Sequence, residues 1–205
     1  RELLDLDDKY SGYQKVAANV IAMDGTNWFS SFTIDKGSKE GIKKGMNVIA
    51  GSGLVGIVTD VGPNFAKVRS IIDDSSNVSS MVLTTKDNFN VGGSLKSMNQ
   101  DKVLPFTELR DEDDKVKVGD PVVTSYVSDQ YQEGILIGYI ASIEKNANNL
   151  TKSGTITPVV DFQHLREVLV ITTLKDTGEK ELSSQKASDT QTETQDNTET
   201  QKSQE

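Results

Sequence analysis

The chain contains no cysteine, a single histidine at His164, one tryptophan at Trp28, and aromatic residues at only 6% of its 205 positions. The missing cysteine excludes disulfides, thiolate metal sites and a cysteine nucleophile, and leaves the compartment open. The lone histidine restricts acid-base chemistry. A serine nucleophile needs an imidazole base held by a carboxylate, yet in the order His, Asp, Ser the only serines beyond His164 lie in the polar C-terminal segment. A serine upstream of His164, Ser52 in GSG among them, and a serine/lysine pair stay open. Sparse aromatics also leave little material for a stacking platform, although a sugar-binding groove built from Phe106, Tyr126 and Tyr131 is a second alternative.

No run of 18 or more apolar residues is present, so the sequence holds no membrane-spanning helix. It opens REL, without an initiator methionine or a signal peptide, and is read as an excised piece whose targeting segment lies upstream. Hydrophobic residues are 35% of the total, a figure diluted by KDTGEKELSSQKASDTQTETQDNTETQKSQE at the end. That stretch cannot bury enough apolar surface to offset its ordering entropy, so residues 174–205 are expected to be a disordered acidic tail. The tail carries a net −4, which leaves about −5 of the chain's −9 on the folded part. A phosphate backbone calls for a dense Lys/Arg footprint, and nucleic acid is therefore excluded as a partner.

What is present is mostly strand. At the start, Leu3, Leu6, Tyr10 and Tyr13 are spaced three, four and three apart, the stripe of an amphipathic helix over residues 1–13. That helix either packs on its own domain or ends a coiled coil that dimerises the chain. From Gln14 the period becomes two, as in NWFSSFTID, and short β-like runs punctuated by turn signals continue to about Thr173 with no convincing helical period. This pattern predicts an all-β fold of barrels or sandwiches. An internal repeat points to two barrels. Gly45-Met-Asn-Val-Ile followed by Gly53-Leu-Val-Gly-Ile-Val recurs as Gly119-Asp-Pro-Val-Val followed by Gly134-Ile-Leu-Ile-Gly-Tyr-Ile. Gly56 and Gly138 fall inside strands, where glycine marks a bend or a close backbone approach. In DKGSKEGIKKGMNV, Gly37, Gly41 and Gly45 supply tight turns and Ile42 plugs the loop to the core.

The glycine-rich GSGLVG is not a dinucleotide loop, because the glycines lead into a strand and no helix N-terminus is available for a pyrophosphate. Asp73-Asp74 and Asp111-Glu112-Asp113-Asp114 lack EF-hand spacing and read as solvated turns. No cofactor and no metal are expected. In the second repeat the longer loop SYVSDQYQE presents Tyr126 and Tyr131, which are candidate partner contacts on an exposed loop.

In their order along the chain, DKGSKEGIKKGMNVIAGSGLVGIVTDVG, VKVGDPVVTSYVSDQYQEGILIGYIASIE and PVVDFQHLREVLVIT resemble the rod shape-determining protein family MreC, in its extracytoplasmic region. Tyr126 stands where the family pattern has glycine, and Tyr131-Gln132 where it has Phe-Pro. The resemblance implies two six-stranded barrels. About five strands are counted between Gln14 and Ile72 and about seven afterwards, so the last strand, within 155–173, is expected to return and complete a first barrel over 14–72, with the second over 73–154. The resemblance also implies a transmembrane helix and a coiled coil upstream, and a single-pass location with this region outside the cytoplasmic membrane. The implied function is a non-enzymatic, dimeric or filamentous scaffold of cell elongation that touches MreD, MreB, a class B penicillin-binding protein and its glycosyltransferase. A degenerate serine hydrolase is the first alternative to that function.

Overall fold

The computed structural model describes residues 10–23, 30–51, 53–111, 113–147 and 150–175. Leu3, Leu6, Trp28, Ser52, Glu112 and the acidic tail beyond Lys175 lie outside the described residues, and with them most of the helical stripe. Two closed antiparallel barrels of six strands make up the fold.

The first barrel holds β1 (Lys15–Met23), β2 (Ser31–Ile34), β3 (Asn47–Ala50), β4 (Gly53–Val61) and β5 (Ala66–Ser70). The second holds β6 (Asn77–Val82), β7 (Asn88–Gly92), β8 (Leu104–Leu109), β9 (Pro121–Thr124), β10 (Leu136–Lys145) and β11 (Lys152–Pro158). The last strand, β12 (Glu167–Ile171), returns to the first barrel between β1 and β3, with Lys15 opposite Ile171 and Val48 opposite Val170. Residues 155–158 belong to β11, so the second barrel extends past residue 154 and only the end of 155–173 serves the first.

The two barrels share one topology, offset by a strand. Around the second barrel the neighbours run β6-β7-β8-β11-β10-β9, and around the first β12-β1-β2-β5-β4-β3. β12 thus occupies in the first barrel the place that β6 occupies in the second. The sequence repeat coincides with this equivalence. Val48 pairs with Gly56, and Val122 with Gly138. Gly45 N–H donates to Val58 O at 2.9 Å, and Gly119 N–H to Ile140 O at 2.7 Å. The two interior glycines have the same cause. A Cβ on Gly56 would lie 2.0 Å from Arg69 O, and one on Gly138 2.2 Å from Thr157 O, so the neighbouring strand's carbonyl excludes any side chain there.

Alternation decides what each strand buries. Ala66, Val68 and Ser70 of β5 face the first barrel's interior while Lys67 is exposed. β4 breaks this alternation, because Gly53–Val58 is buried on both faces. Its outer face packs against β10. One continuous apolar core therefore runs through both barrels, from Phe32, Ile34 and Val168 to Phe106, Ile137 and Ile156.

One helix departs from the strand-only reading of residues 14–173. α1 (Leu95–Asp101) joins β7 to β8; Ser94 Oγ caps it by accepting from Ser97 N–H at 3.2 Å, and it ends at Lys102 in the left-handed region. Seven residues with only Met98 buried are too short for a hydrophobic period to register.

Candidate functional site at the junction of the barrels

The segment from Ser125 to Leu136, between β9 and β10, is the junction. Its sequence is polar enough to read as an exposed loop, but the structure fixes it from several directions. On the first barrel, Asn47 opens β3 on the face opposite the barrel interior. Its Oδ1 accepts from Gln132 N–H at 2.7 Å and its Nδ2 donates to Gln130 O at 2.9 Å. Gln132 Nε2 donates to Thr173 O at 3.0 Å, and Lys175 Nζ reaches Tyr126 O at 3.4 Å. From the N-terminal side, Tyr10 Oη accepts from Leu136 N–H at 3.1 Å and Tyr13 Oη donates to Glu133 O at 3.3 Å. Within the second barrel, Ser125 Oγ bonds Asn88 Oδ1, and Thr124 Oγ1 accepts from Ile135 N–H at 2.8 Å.

Two expectations are corrected here. Tyr131 is 2% exposed and belongs to the shared core, so it is not an exposed contact. By register, Asn47, Ile57 and Arg69 form one row across β3, β4 and β5, and the first two are buried. Tyr131 lies near the cation of that row. Burial pushes its phenol up to about 12, against the opposing pull of Arg69. Likewise Tyr10 and Tyr13 do not continue a helical stripe. They form a turn, closed by Tyr13 N–H to Tyr10 O at 3.0 Å, and both side chains dock on this chain's own junction. Burial raises both phenols, with Glu133 adding to the effect at Tyr13.

Tyr126 differs. It is 54% exposed, Val127 beside it is 58% exposed, and the loop that presents them is pinned on both sides. The junction therefore offers a small rigid apolar tip. Gly53 marks a close approach of the barrels, since a Cβ there would meet Leu136 O at 2.6 Å and Val159 Cγ2 at 2.4 Å. Gly41, Gly45, Gly119 and Gly134 all have positive φ and serve as turn residues.

The remaining candidates are structural. His164 Nδ1 bonds Asp161 Oδ2 at 2.7 Å on the surface, and no serine hydroxyl among the described residues is hydrogen-bonded to that imidazole. The groove of Phe106, Tyr126 and Tyr131 does not form, because Phe106 is 1% exposed and packs edge-on against Phe89 inside the second barrel. Asp73 accepts from Ser75 N–H within its own turn, and Asp74 accepts from the distant Leu95 N–H at the start of α1.

Asp111, read from sequence as a solvated turn residue, is instead buried. It accepts from Lys115 and Val116 N–H and from Lys152 Nζ at 2.7 Å, and Lys152 also bonds Asp114. Burial alone would raise the Asp111 carboxyl, but the ammonium and the two N–H donors hold it below the usual carboxylate range. No group of three or more His, Cys, Asp or Glu among the described residues is arranged to hold a metal.

Asn47 and Lys152 were missed at the sequence level. Nothing local marks them, since an asparagine opening a strand and a lysine after a turn are both ordinary surface patterns.

Two barrels of one topology, fused through a shared core and a docked loop, define a tandem-barrel protein. A family model described as the rod shape-determining protein MreC, barrel core, matches residues 20–172, and the chain belongs to that family. The cell shape-determining protein MreC of Listeria monocytogenes is 34% identical over 173 residues, covering 83% of this chain and 58% of that protein. The Bacillus subtilis protein is 29% identical over 166 residues. The chain thus spans just under three-fifths of these relatives. The solved structure of MreC from Listeria monocytogenes superposes with a TM-score of 0.70 at 32% identity, covering 86% of this chain and 87% of that one. A chain in a complex between penicillin-binding protein PBP2 and MreC from Helicobacter pylori shares the fold, with a TM-score of 0.57 at 12% identity; 78% of this chain and all of that one are covered.

Proposed function

We propose that this chain is the extracytoplasmic part of a non-enzymatic scaffold that holds peptidoglycan synthases in the cell-elongation machinery. Family membership and the Helicobacter pylori complex of PBP2 with MreC support the reading. The observation that carries it is the fused core: a binding surface spread over both barrels keeps its geometry because the docked loop joins them into one body. Partners are a class B penicillin-binding protein and its glycosyltransferase. MreD and, across the membrane, MreB connect through a transmembrane helix upstream of Arg1, and Leu3 and Leu6 contribute to a dimer contact. A scaffold of this kind acts by binding one arrangement of the synthase better than another and so shifting its population. Tyr126 and Val127 are the contact residues, since a rigid aromatic anchor loses little entropy on binding.

The test uses the full-length partner synthase in detergent, captured on the immobilised chain. Tyr126→Ala with Val127→Ala is expected to weaken capture by about tenfold or more. Unchanged capture removes the tip as the contact, and no capture by either version removes the scaffold reading.

A further inference from the structure

The outer face of β6, β7 and β8, with the loops that follow β6 and β8, carries an open groove beside the junction, which shares Asn88 and Val127 with it. It consists of two depressions of about 440 and 570 Å³ that meet at Arg110, a residue lining both. Cross-strand register places Ser79, Asn90 and Thr107 in one row across the three strands, and Asn88 lies two residues from Asn90 on the same face. A bulge interrupts β8 between Phe106 and Leu109. Glu108 there has φ 64, a conformation rare for a residue with a Cβ, and both Glu108 and Arg110 are exposed.

The groove has unused hydrogen-bonding capacity of a definite kind. Asn88 has its carbonyl occupied by Ser125 Oγ, which leaves its NH₂ as a donor. Asn90 gives its Nδ2 to Glu108 Oε2 at 3.0 Å, which leaves its carbonyl as an acceptor. Arg110 has no ion pair or side-chain hydrogen bond among the described residues; of the charged groups lining the larger depression with it, Asp113 is paired with Lys115 and Asp111 with Lys152, and Asp87 is the remaining carboxylate. In the larger depression, Thr85 Oγ1 is buried without a partner.

Residues two apart on a strand project about 6.8 Å apart, which is also the repeat of alternate peptide groups in an extended chain. An extended segment laid along β7 can therefore offer a carbonyl to Asn88 and an N–H to Asn90. The five N–H donors of Arg110 form a fork that matches a carboxylate in two parallel bonds. Val127, lining the smaller depression and half exposed, gives one apolar contact. No exposed aromatic ring lines either depression, so the surface lacks the stacking platform of a sugar site.

We infer that this groove binds an extended polypeptide segment of a partner, read through its main chain by Asn88 and Asn90 and through an Asp or Glu side chain by Arg110. The inference does not depend on the scaffold reading.

The test is selection of random linear dodecapeptides displayed on phage against the chain. Selected peptides are then titrated into ¹⁵N-labelled chain, with a hyaluronan tetrasaccharide as the glycan probe. Selected peptides are expected to carry a carboxylate and to shift the resonances of Ser79, Asn88, Asn90 and Arg110. They should bind Arg110→Ala about tenfold more weakly, as loss of a charged hydrogen-bonded contact implies. Arg110→Lys, which keeps charge without the fork, should rescue only part of the loss, and both variants should melt with wild type because Arg110 has no partner to lose. Peptides that bind Arg110→Ala equally well, shifts mapping elsewhere, a library that yields no binder, or perturbation of these resonances by the tetrasaccharide alone would each overturn the inference.

Discussion

Asn47 on the first barrel and Gln132 on the second are joined by a buried hydrogen bond of 2.7 Å between a side-chain carbonyl and a main-chain N–H. The same carboxamide donates to Gln130 O, so one side chain satisfies both polar groups that the docked loop turns toward β3.

Asn47→Ala leaves that N–H and C=O buried without partners, and each orphaned group costs about 1–3 kcal/mol. A loss of roughly 2–4 kcal/mol is expected in denaturant unfolding. A change below about 0.5 kcal/mol would mean water replaces the carboxamide and the bond does not join the barrels.

Tyr131 and Tyr126, five residues apart on that loop, should respond oppositely. Truncating a buried aromatic costs about 3–5 kcal/mol, whereas an exposed one away from partners stays within about 0.5 kcal/mol. Tyr131→Ala should therefore destabilise the chain strongly and Tyr126→Ala should not. Spectroscopic titration should also find the Tyr131 phenol ionising near 12. Its folded value lies above the unfolded one, so the stability it contributes is present at neutral pH and lost as pH rises from the ordinary phenol range through that value.

Glycine positions in the repeat separate by cause. Gly56→Ala and Gly138→Ala each drive a Cβ into a backbone carbonyl that cannot move without opening the ladder, for a loss of about 3 kcal/mol or more. At Gly41 the space is open and only φ 82 resists, so Gly41→Ala should cost about 1 kcal/mol. Equal costs at all three would refute the close-approach explanation.

Removing one member of the buried Asp111–Lys152 pair leaves a charge without compensation. Lys152→Met should destabilise by about 3–5 kcal/mol, and the double change with Asp111→Asn, which removes the charge but keeps a carbonyl for the Lys115 and Val116 N–H groups, should recover part of that. The pH dependence has two arms. Asp111 is held below its unfolded value, so its contribution is intact above the ordinary carboxylate range and fades as pH falls through the folded value. For Lys152, burial alone would lower the ammonium, but Asp111 and Asp114 outweigh it and raise it. That contribution is intact below the ordinary lysine value and fades as pH rises through the folded one. Unfolding curves on Lys152→Met should lack the alkaline arm and show a smaller acid arm, since the Lys115 and Val116 N–H groups still bind the Asp111 carboxylate; an unchanged alkaline arm would assign it to another group.

The strand offset between the barrels predicts that the order β12-β1-β2-β3-β4-β5 is foldable, because the second barrel already has it. Ile171 lies opposite Lys15, so a turn of about two to five residues can join them. A permuted chain starting near Phe162 and running through that turn into β1 should fold, with lower stability from loss of the Tyr10 and Tyr13 contacts. Truncation after Val160 without the transplanted strand should not fold, since β1 and β3 are left as open edges. A cooperative, native-like truncated chain would show that the returning strand is dispensable.

The strands were legible because alternation of side chains across a pleated sheet leaves a period of two that needs no knowledge of neighbours. Gly56 and Gly138 were legible for a related reason: a glycine inside a strand implies that something stands where a Cβ would be. What stood there was not legible, and the carbonyls of Arg69 and Thr157 come from strands found only by pairing. α1 escaped because two turns with one buried methionine carry no period.

The amino-acid order alone determined an all-β chain of two similar barrels, because burial in a strand is a local choice between two faces. Only the tertiary structure decided that Tyr131 is buried while Tyr126 is exposed, and that Asn47 and Lys152 hold distant segments together. Each of these depends on which surfaces meet across long separations in the chain, and one polar loop sequence is compatible with either solvent or a partner face until that meeting is known.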